Sequence, residues 1–235
     1  NQKRWIAALK QAEYVGVRGP RSLSWLESNG ITNAEIIGDP ALMLKSSKRN
    51  SAANERVIGL NLGSHDPIDG DAEKLLHSIK IFCHHAIKRG YKIEYLSMSP
   101  IDHSIGKILA SEFQSNNFSI KPFSNSTTAL MNQISTCDVV VGQRLHVTVL
   151  ACAAEVPNLS LSYQPKCLDF LESLDRTDLS IPTNEISAAS LIERFAWIEK
   201  RAEEIRQQLN FSVNSFRSLQ RSAAEKVLKI CEKQT

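Results

Sequence analysis

An arginine and a histidine, Arg144 and His146, follow directly on the apolar run Cys137-Asp138-Val139-Val140-Val141-Gly142. Val139 to Val141 read as a short buried strand that Gly142 ends, and Leu145 to Ala154 read as a buried helix. The two polar groups therefore sit at a strand-to-helix turn, on the carboxyl edge where open α/β sheets bind ligands. The helix behind them presents unpaired N–H groups and partial positive charge, which suits a phosphate or a carboxylate. Charged side chains between two apolar runs are costly to bury unpaired, so they need a partner or a ligand. A structural pair of Arg144 with His146 beneath the sheet is the competing reading.

Three other predicted strand ends carry comparable groups: Arg18 and Arg21, then His65, then Lys166 in Tyr163-Gln164-Pro165-Lys166. Taken singly, each is weak, because an arginine after a strand is more often a structural ion pair. Arg21 reads equally well as a solvated helix-start residue. Together they supply cations from both halves of the chain and two imidazoles, which is what an anionic substrate held in a cleft requires. Asp39 reads as a turn cap rather than a base, and Cys167 as a bystander. His77, Cys83, His84 and His85 cluster in sequence, but on a helix only His77 and His84 share a face. No second group has zinc-type spacing, so no metal is expected. The chain carries no G-x-G-x-x-G fingerprint, no P-loop and no G-x-S-x-G elbow.

The elements that must position these groups alternate. Strands are expected at 14–17 and 35–37, with a helix at 23–28 between them. A polar, basic stretch at 45–55 reads as a linker. Beyond it, strands at 56–62, 92–97, 119–122, 138–141 and 158–162 alternate with helices at 71–89, 105–115, 127–136 and from Leu145. That order predicts a doubly wound, mostly parallel α/β sheet. Two helices close the chain, Ser187 to Leu209 and Phe216 to Cys231, each with a single apolar stripe. The first residues read as the middle of a helix, with Trp5, Ala8, Leu9 and Ala12 on one face, which implies a further N-terminal part.

With 235 residues and 42% hydrophobic content, the chain is long enough for a substantial core. A net charge of +3 without like-charge blocks argues against nucleic acid as a partner. Five cysteines without close pairing point to reduced thiols in the cytoplasm. No apolar run is long enough to span a bilayer, and no signal peptide is visible.

The chain resembles the polysaccharide pyruvyl transferases of the exopolysaccharide ketal-forming type. The resemblance rests on Val17-Arg18-Gly19-Pro20-Arg21-Ser22 with Leu26 and Gly30, on Gly38-Asp39-Pro40-Ala41-Leu42, on Cys137 to His146, and on Pro157 with Tyr163-Gln164-Pro165-Lys166 and Phe170. It runs from about Tyr14 to Leu174. It implies a GT-B-like fold of two Rossmann-type domains. Residues 1–44 would be the end of the first, 56–185 a donor-binding second domain, and 186–235 helices packed across both, with the tail docked on the Trp5–Leu9 helix. It implies phosphoenolpyruvate as donor with no cofactor, and a sugar or lipid-linked oligosaccharide acceptor, with peripheral attachment at the inner face of the membrane as one location. Arg18, Arg144 and His146 would be catalytic, and Lys166, Arg21, Leu145, His65, Tyr163 and Gln164 would bind substrate. The residue types agree: Arg18, Arg144 and Lys166 can pair with a carboxylate and a phosphate, and His146 is the candidate general acid/base. Two alternatives stand beside this reading. One is a nucleotide-sugar glycosyltransferase of the same architecture, with Glu172 the nearest candidate for its acidic motif. The other is a non-catalytic module of a polysaccharide-assembly system.

Overall fold

The computed structural model describes residues 2–45, 55–63 and 72–233. The linker segment 46–54 and the His65 loop lie outside the described residues. The first part holds α1 (Gln2–Gln11), β1 (Val15–Val17), α2 (Pro20–Ser28), β2 (Ala34–Ile36) and a 3-10 turn, Pro40–Met43. β1 and β2 pair in parallel as a two-stranded sheet. Next come β3 (Arg56–Asn61), α3 (Ala72–Lys88), β4 (Tyr91–Leu96), α4 (Pro100–Ala110), β5 (Phe118–Lys121), α5 (Thr127–Ser135) and β6 (Val139–Gly142). They are followed by α6 (Leu145–Ala153), β7 (Asn158–Ser162), α7 (Pro165–Ser173), β8 (Ser180–Pro182), α8 (Ala188–Lys200) and α9 (Ala202–Glu232).

The six strands β3 to β8 form one sheet in the order β5-β4-β3-β6-β7-β8, parallel at every pairing. Counted within the sheet, that order is 3-2-1-4-5-6, the doubly wound Rossmann arrangement. The α/β alternation expected from sequence is therefore present. Every residue of β6 and of β7 is buried, as is all of β3 after Arg56. Helices cover both faces of such a sheet, so its strands read as continuous apolar runs rather than alternating ones. The strand order reverses between β3 and β6, where Asn61 lies opposite Gly142. Loops leaving adjacent strands at a reversal wind to opposite faces, which opens a crevice at the carboxyl edge.

Several elements differ from the sequence expectation. α4 lies five residues ahead of the expected 105–115, because Ser99 caps it and Pro100 opens it. α7 and β8 have no counterpart in that expectation, although Pro165 at the first helical position is a start signal for α7. The tail breaks at Arg201, not between Leu209 and Phe216, and α9 is one helix of 31 residues. Its buried stripe Ile205, Leu209, Val213, Phe216, Gln220 and Ala223 runs unbroken through the polar stretch 210–215. Tertiary burial on that stripe outweighs the weak helix propensity of its Asn and Ser residues.

α9 docks on residues 35–44. The Phe216 ring packs against Gly38, whose φ is +76° and whose missing Cβ would lie 2.7 Å from the ring. Arg217 donates from Nε to the Leu42 carbonyl at 2.8 Å, and from Nη2 to those of Leu44 at 2.8 Å and Ala153 at 3.1 Å. Gln220 Nε2 donates to the carbonyls of Ile37 and Asp39, both at 2.9 Å. The expected docking of the tail on the Trp5–Leu9 helix is not seen: α1 buries no side chain, and Trp5 is 67% exposed. The turn at 40–43 offers unpaired carbonyls that a buried guanidinium satisfies, whereas α1 offers only an apolar face.

Replacing Arg217 by Leu strands three buried carbonyls, each worth roughly 1–3 kcal/mol when left unsatisfied. The expected result is a loss of several kcal/mol in urea denaturation. Unchanged stability would show that these bonds are incidental.

Candidate functional site

Asn61, the last residue of β3, is fully buried and organises the crevice at the strand-order reversal. Its Nδ2 donates to the Leu96 carbonyl at the end of β4 (2.8 Å), and its Oδ1 accepts from the Arg144 backbone N–H (3.3 Å). Gln143 closes the next loop, with Oε1 accepting from the Gly63 N–H at 2.9 Å. These bonds tie the ends of β3, β4 and β6 together before any side chain reaches outward.

The Arg144 side chain runs across to α4. Its Nε and Nη2 donate to the two carboxylate oxygens of Asp102, at 2.7 and 2.5 Å, and Nη2 also donates to Ser99 Oγ at 3.0 Å. Asp102 is fully buried and further accepts from the Met98 N–H (3.1 Å) and Ser99 Oγ (2.9 Å). Ser99 is the N-cap of α4, so the carboxylate sits in the first turn of a helix, where negative charge is favoured. The bond to Asp102 is the main reason the Arg144 guanidinium holds its proton more tightly than usual; the nearby hydroxyls of Tyr163 and Tyr95 act in the same direction. The Arg144 side chain keeps 23% of its surface exposed. Nη1 meets no partner among the described residues.

A second group of cations lines a cleft of about 510 Å³ between β1 with α2 on one side and α7 on the other. Its walls include Val17, Arg18, Arg21, Trp25, Lys166 and Asp169. Arg18 Nε lies 3.4 Å from Asp39 Oδ2, and its Nη1 is buried with no hydrogen-bond partner among the described residues. Lys166 is exposed on the first turn of α7, its ammonium 5.4 Å from the centre of the Tyr163 ring, and it pairs with no carboxylate among the described residues. Burial pushes the pKa of the Cys167 thiol up, while the backbone N–H groups around it and the Lys166 and Arg18 charges act to lower it.

The cleft is held shut on one side by carboxylates of α7. Asp169 Oδ1 accepts from the Arg21 N–H at 2.8 Å, and Oδ2 accepts from Ser22 Oγ at 2.6 Å. It thereby caps α2, whose own N-cap, Gly19, has no side chain to do so. Arg21 donates from Nε and Nη2 to the two oxygens of Glu172, at 2.7 and 2.5 Å.

The family model for polysaccharide pyruvyl transferases matches residues 1–165. The chain belongs to that family. No curated protein matches its sequence significantly. Among solved structures, the pneumococcal O-GlcNAc transferase GtfA in complex with UDP and GlcNAc is similar at a TM-score of 0.61 and 12% identity, over 96% of this chain and 47% of that one. A glycosyltransferase from Rickettsia africae is similar at a TM-score of 0.58 and 13% identity, over 97% of this chain and 67% of that one. The GtfA/B complex gives 0.65 at 12% identity, over 96% and 47%. At such identities the likeness is one of fold, and the fold is GT-B. The chain spans about half the length of GtfA.

In this pyruvyl transferase family member, eight of the nine residues singled out from sequence lie among the described residues, in distinct environments, and His65 lies outside them. Arg18, Arg21 and Lys166 line one cleft, Arg144 stands at the strand-order reversal, and Tyr163 follows the next strand, β7. Lys166 falls one position beyond the matched stretch. Arg21 spends its guanidinium on Glu172, so it ties α2 to α7. Leu145 is buried in the core, which leaves only its backbone to meet a ligand. Gln164 is the half-buried N-cap residue of α7. His146 is exposed on the first turn of an otherwise buried α6, so the pairing of Arg144 with His146 is replaced by Arg144 with Asp102. Among the described residues, no three His, Cys, Asp or Glu side chains come together to hold a metal, and no helix is long and apolar enough to cross a membrane. Sequence reasoning missed Asn61, Ser99 and Asp102. The available signal was Ser99-Pro100-Ile101-Asp102, a capping residue and proline ahead of a helix with its acid in the first turn.

Asp102→Ala leaves Arg144 half-buried with no counter-charge, a change that typically costs about 3–5 kcal/mol. Thermal melting should show that loss, and phosphate or phosphoenolpyruvate binding should weaken with it. A variant of wild-type stability and affinity would mean that Arg144 is oriented by other groups.

Proposed function

We propose that the chain holds the donor half of an enzyme that moves the enolpyruvyl group of phosphoenolpyruvate onto a sugar, forming a pyruvate ketal and releasing phosphate. The single observation that carries this is a cleft lined by Arg18 and Lys166, in which Arg18 Nη1 is buried without a hydrogen-bond partner and Lys166 pairs with no carboxylate among the described residues. A guanidinium left short of acceptors in a protein is a strong site for a carboxylate or phosphate. Two such cations on one cleft suit a donor that carries one of each. Family membership supports the chemistry.

In this reading Arg18, Lys166 and Arg144 bind and orient the donor. The methylene carbon takes a proton, C2 becomes cationic, and a sugar hydroxyl adds to it as it loses its own proton. A second hydroxyl then displaces phosphate, which leaves with that hydroxyl's proton, and the ketal closes. His146 is the acid/base group: it stands at the mouth of α6 with its ring open to an incoming substrate. No cofactor enters the scheme. The acceptor is a sugar of a bacterial polysaccharide or its lipid-linked precursor, and the setting is the cytoplasm or the inner face of the membrane.

The test is phosphate release from phosphoenolpyruvate against a panel of sugar acceptors. Release should depend on both substrates. His146→Ala should cut turnover by roughly 100- to 10,000-fold while donor binding persists. Lys166→Ala should mainly raise the donor KM. Tight binding of UDP or GDP with no phosphoenolpyruvate turnover would replace this reading with that of a nucleotide-sugar glycosyltransferase.

A further inference from the structure

The geometry points to Asp39 as the positioning residue of Arg18, with Gln220 of α9 holding Asp39 in place. The inference rests on the donor-binding reading of Arg18 and goes beyond it, because it names what fixes that guanidinium.

Asp39 divides its carboxylate between two jobs. Oδ1 accepts from the Ala41 N–H at 3.0 Å and caps the 3-10 turn that begins at Pro40. Oδ2 faces Arg18 Nε at 3.4 Å. The pair is screened from water on the Asp39 side, whose side chain is 9% exposed against 31% for Arg18. Contact through Nε leaves the other end of the guanidinium unspent, and Nη1 there is buried without a hydrogen-bond partner among the described residues.

The backbone carrying Asp39 cannot drift. Gln220 Nε2 bridges the carbonyls of Ile37 and Asp39, both at 2.9 Å. Phe216 fills the space that a side chain at Gly38 would need. Arg217 holds the following turn through Leu42 and Leu44. Three consecutive functions of one helix face thus converge on one loop, and that loop has one polar side chain aimed at the cleft cation. A helix that served only to join the two halves would not need to grip the carbonyl of Asp39 itself.

Asp39→Asn separates the two jobs. The amide oxygen can still cap Ala41, while its NH2 group replaces the oxygen that faced Arg18. The expected result is phosphoenolpyruvate binding weakened by about tenfold, kcat changed less than about threefold, and an unchanged melting temperature. Asp39→Glu, which keeps the charge, should recover part of the affinity. Gln220→Leu should act in the same direction, and the double variant Asp39→Asn with Gln220→Leu should fall short of the sum, as expected for residues acting through one contact. A readout free of the donor is the Arg18 Nε–H signal in nuclear magnetic resonance, whose chemical shift should move in both single variants. Unchanged or tighter donor binding in Asp39→Asn, or an Arg18 signal that does not respond, would overturn the inference. Should Arg18→Ala lose the donor while Asp39→Asn does not, only the positioning role falls. Should the unaltered protein not bind phosphoenolpyruvate at all, the functional reading falls, and the Arg18 signal still decides whether Asp39 holds it.

Discussion

The candidate site depends on one buried charge. Asp102 has no access to water, and an isolated carboxylate in that position would be strongly disfavoured. It is tolerated because Arg144 meets both of its oxygens, because the Met98 N–H and the Ser99 hydroxyl also donate to it, and because the first turn of α4 offers a favourable dipole. The consequence runs the other way too. A guanidinium that must satisfy Asp102 through Nε and Nη2 cannot rotate away, so its remaining edge points in a fixed direction. A flexible surface arginine would lose side-chain entropy on gripping a ligand, whereas Arg144 has lost it on folding. Asn61 and Gln143 extend the same logic to the backbone, since each uses a side-chain oxygen to hold a loop at the point where the strand order reverses.

The second group of cations is held by a different mechanism. The 15–44 segment carries only a small apolar cluster around Val15, Leu26 and Ile31, and a two-stranded sheet of three-residue strands. Such a unit has little stability of its own. It gains its place from contacts with the rest of the chain, through α9 at residues 35–44 and through Asp169 and Glu172 at the start of α2. The position of Arg18 relative to Lys166 is therefore a property of inter-element packing. The position of Arg144 is a property of one sheet.

Much of this was legible in the sequence, and what was not has identifiable causes. The alternation of β3 to β7 with helices was visible because buried parallel strands are short apolar runs such as Val139-Val140-Val141, bounded by glycine or polar turns. β8 was not, because Ser180-Ile181-Pro182 has one apolar residue and earns its strand geometry from the neighbouring β7. The single helix α9 was divided in the reading because Asn and Ser at 210–215 look like a loop, and periodicity alone does not reveal what the other face buries. At the site, the importance of the Arg144 turn was readable from charge placed between apolar runs. Its partner Asp102 was not, since the two lie 42 residues apart and meet only once β3, β4 and β6 are in register. His146 shows the limit from the opposite side: residue type and motif single it out, but one step along a helix turn decides that its neighbours Leu145 and Val147 are buried while it faces solvent.

Tyr163 stands beside one of these cations. It follows β7 directly, so its height above the sheet is set by the pairing of β7 with β6, and hence by the same register that places Arg144. Its ring lies beneath Lys166, three residues on, across the start of α7. An aromatic face stabilises an ammonium without neutralising it, by about 0.5–1 kcal/mol at exposed sites. A carboxylate there would form a stronger pair and would consume the charge. The side chain beneath Lys166 is thus one that orients positive charge and leaves it available, which is the property that a site for an anionic donor has to conserve.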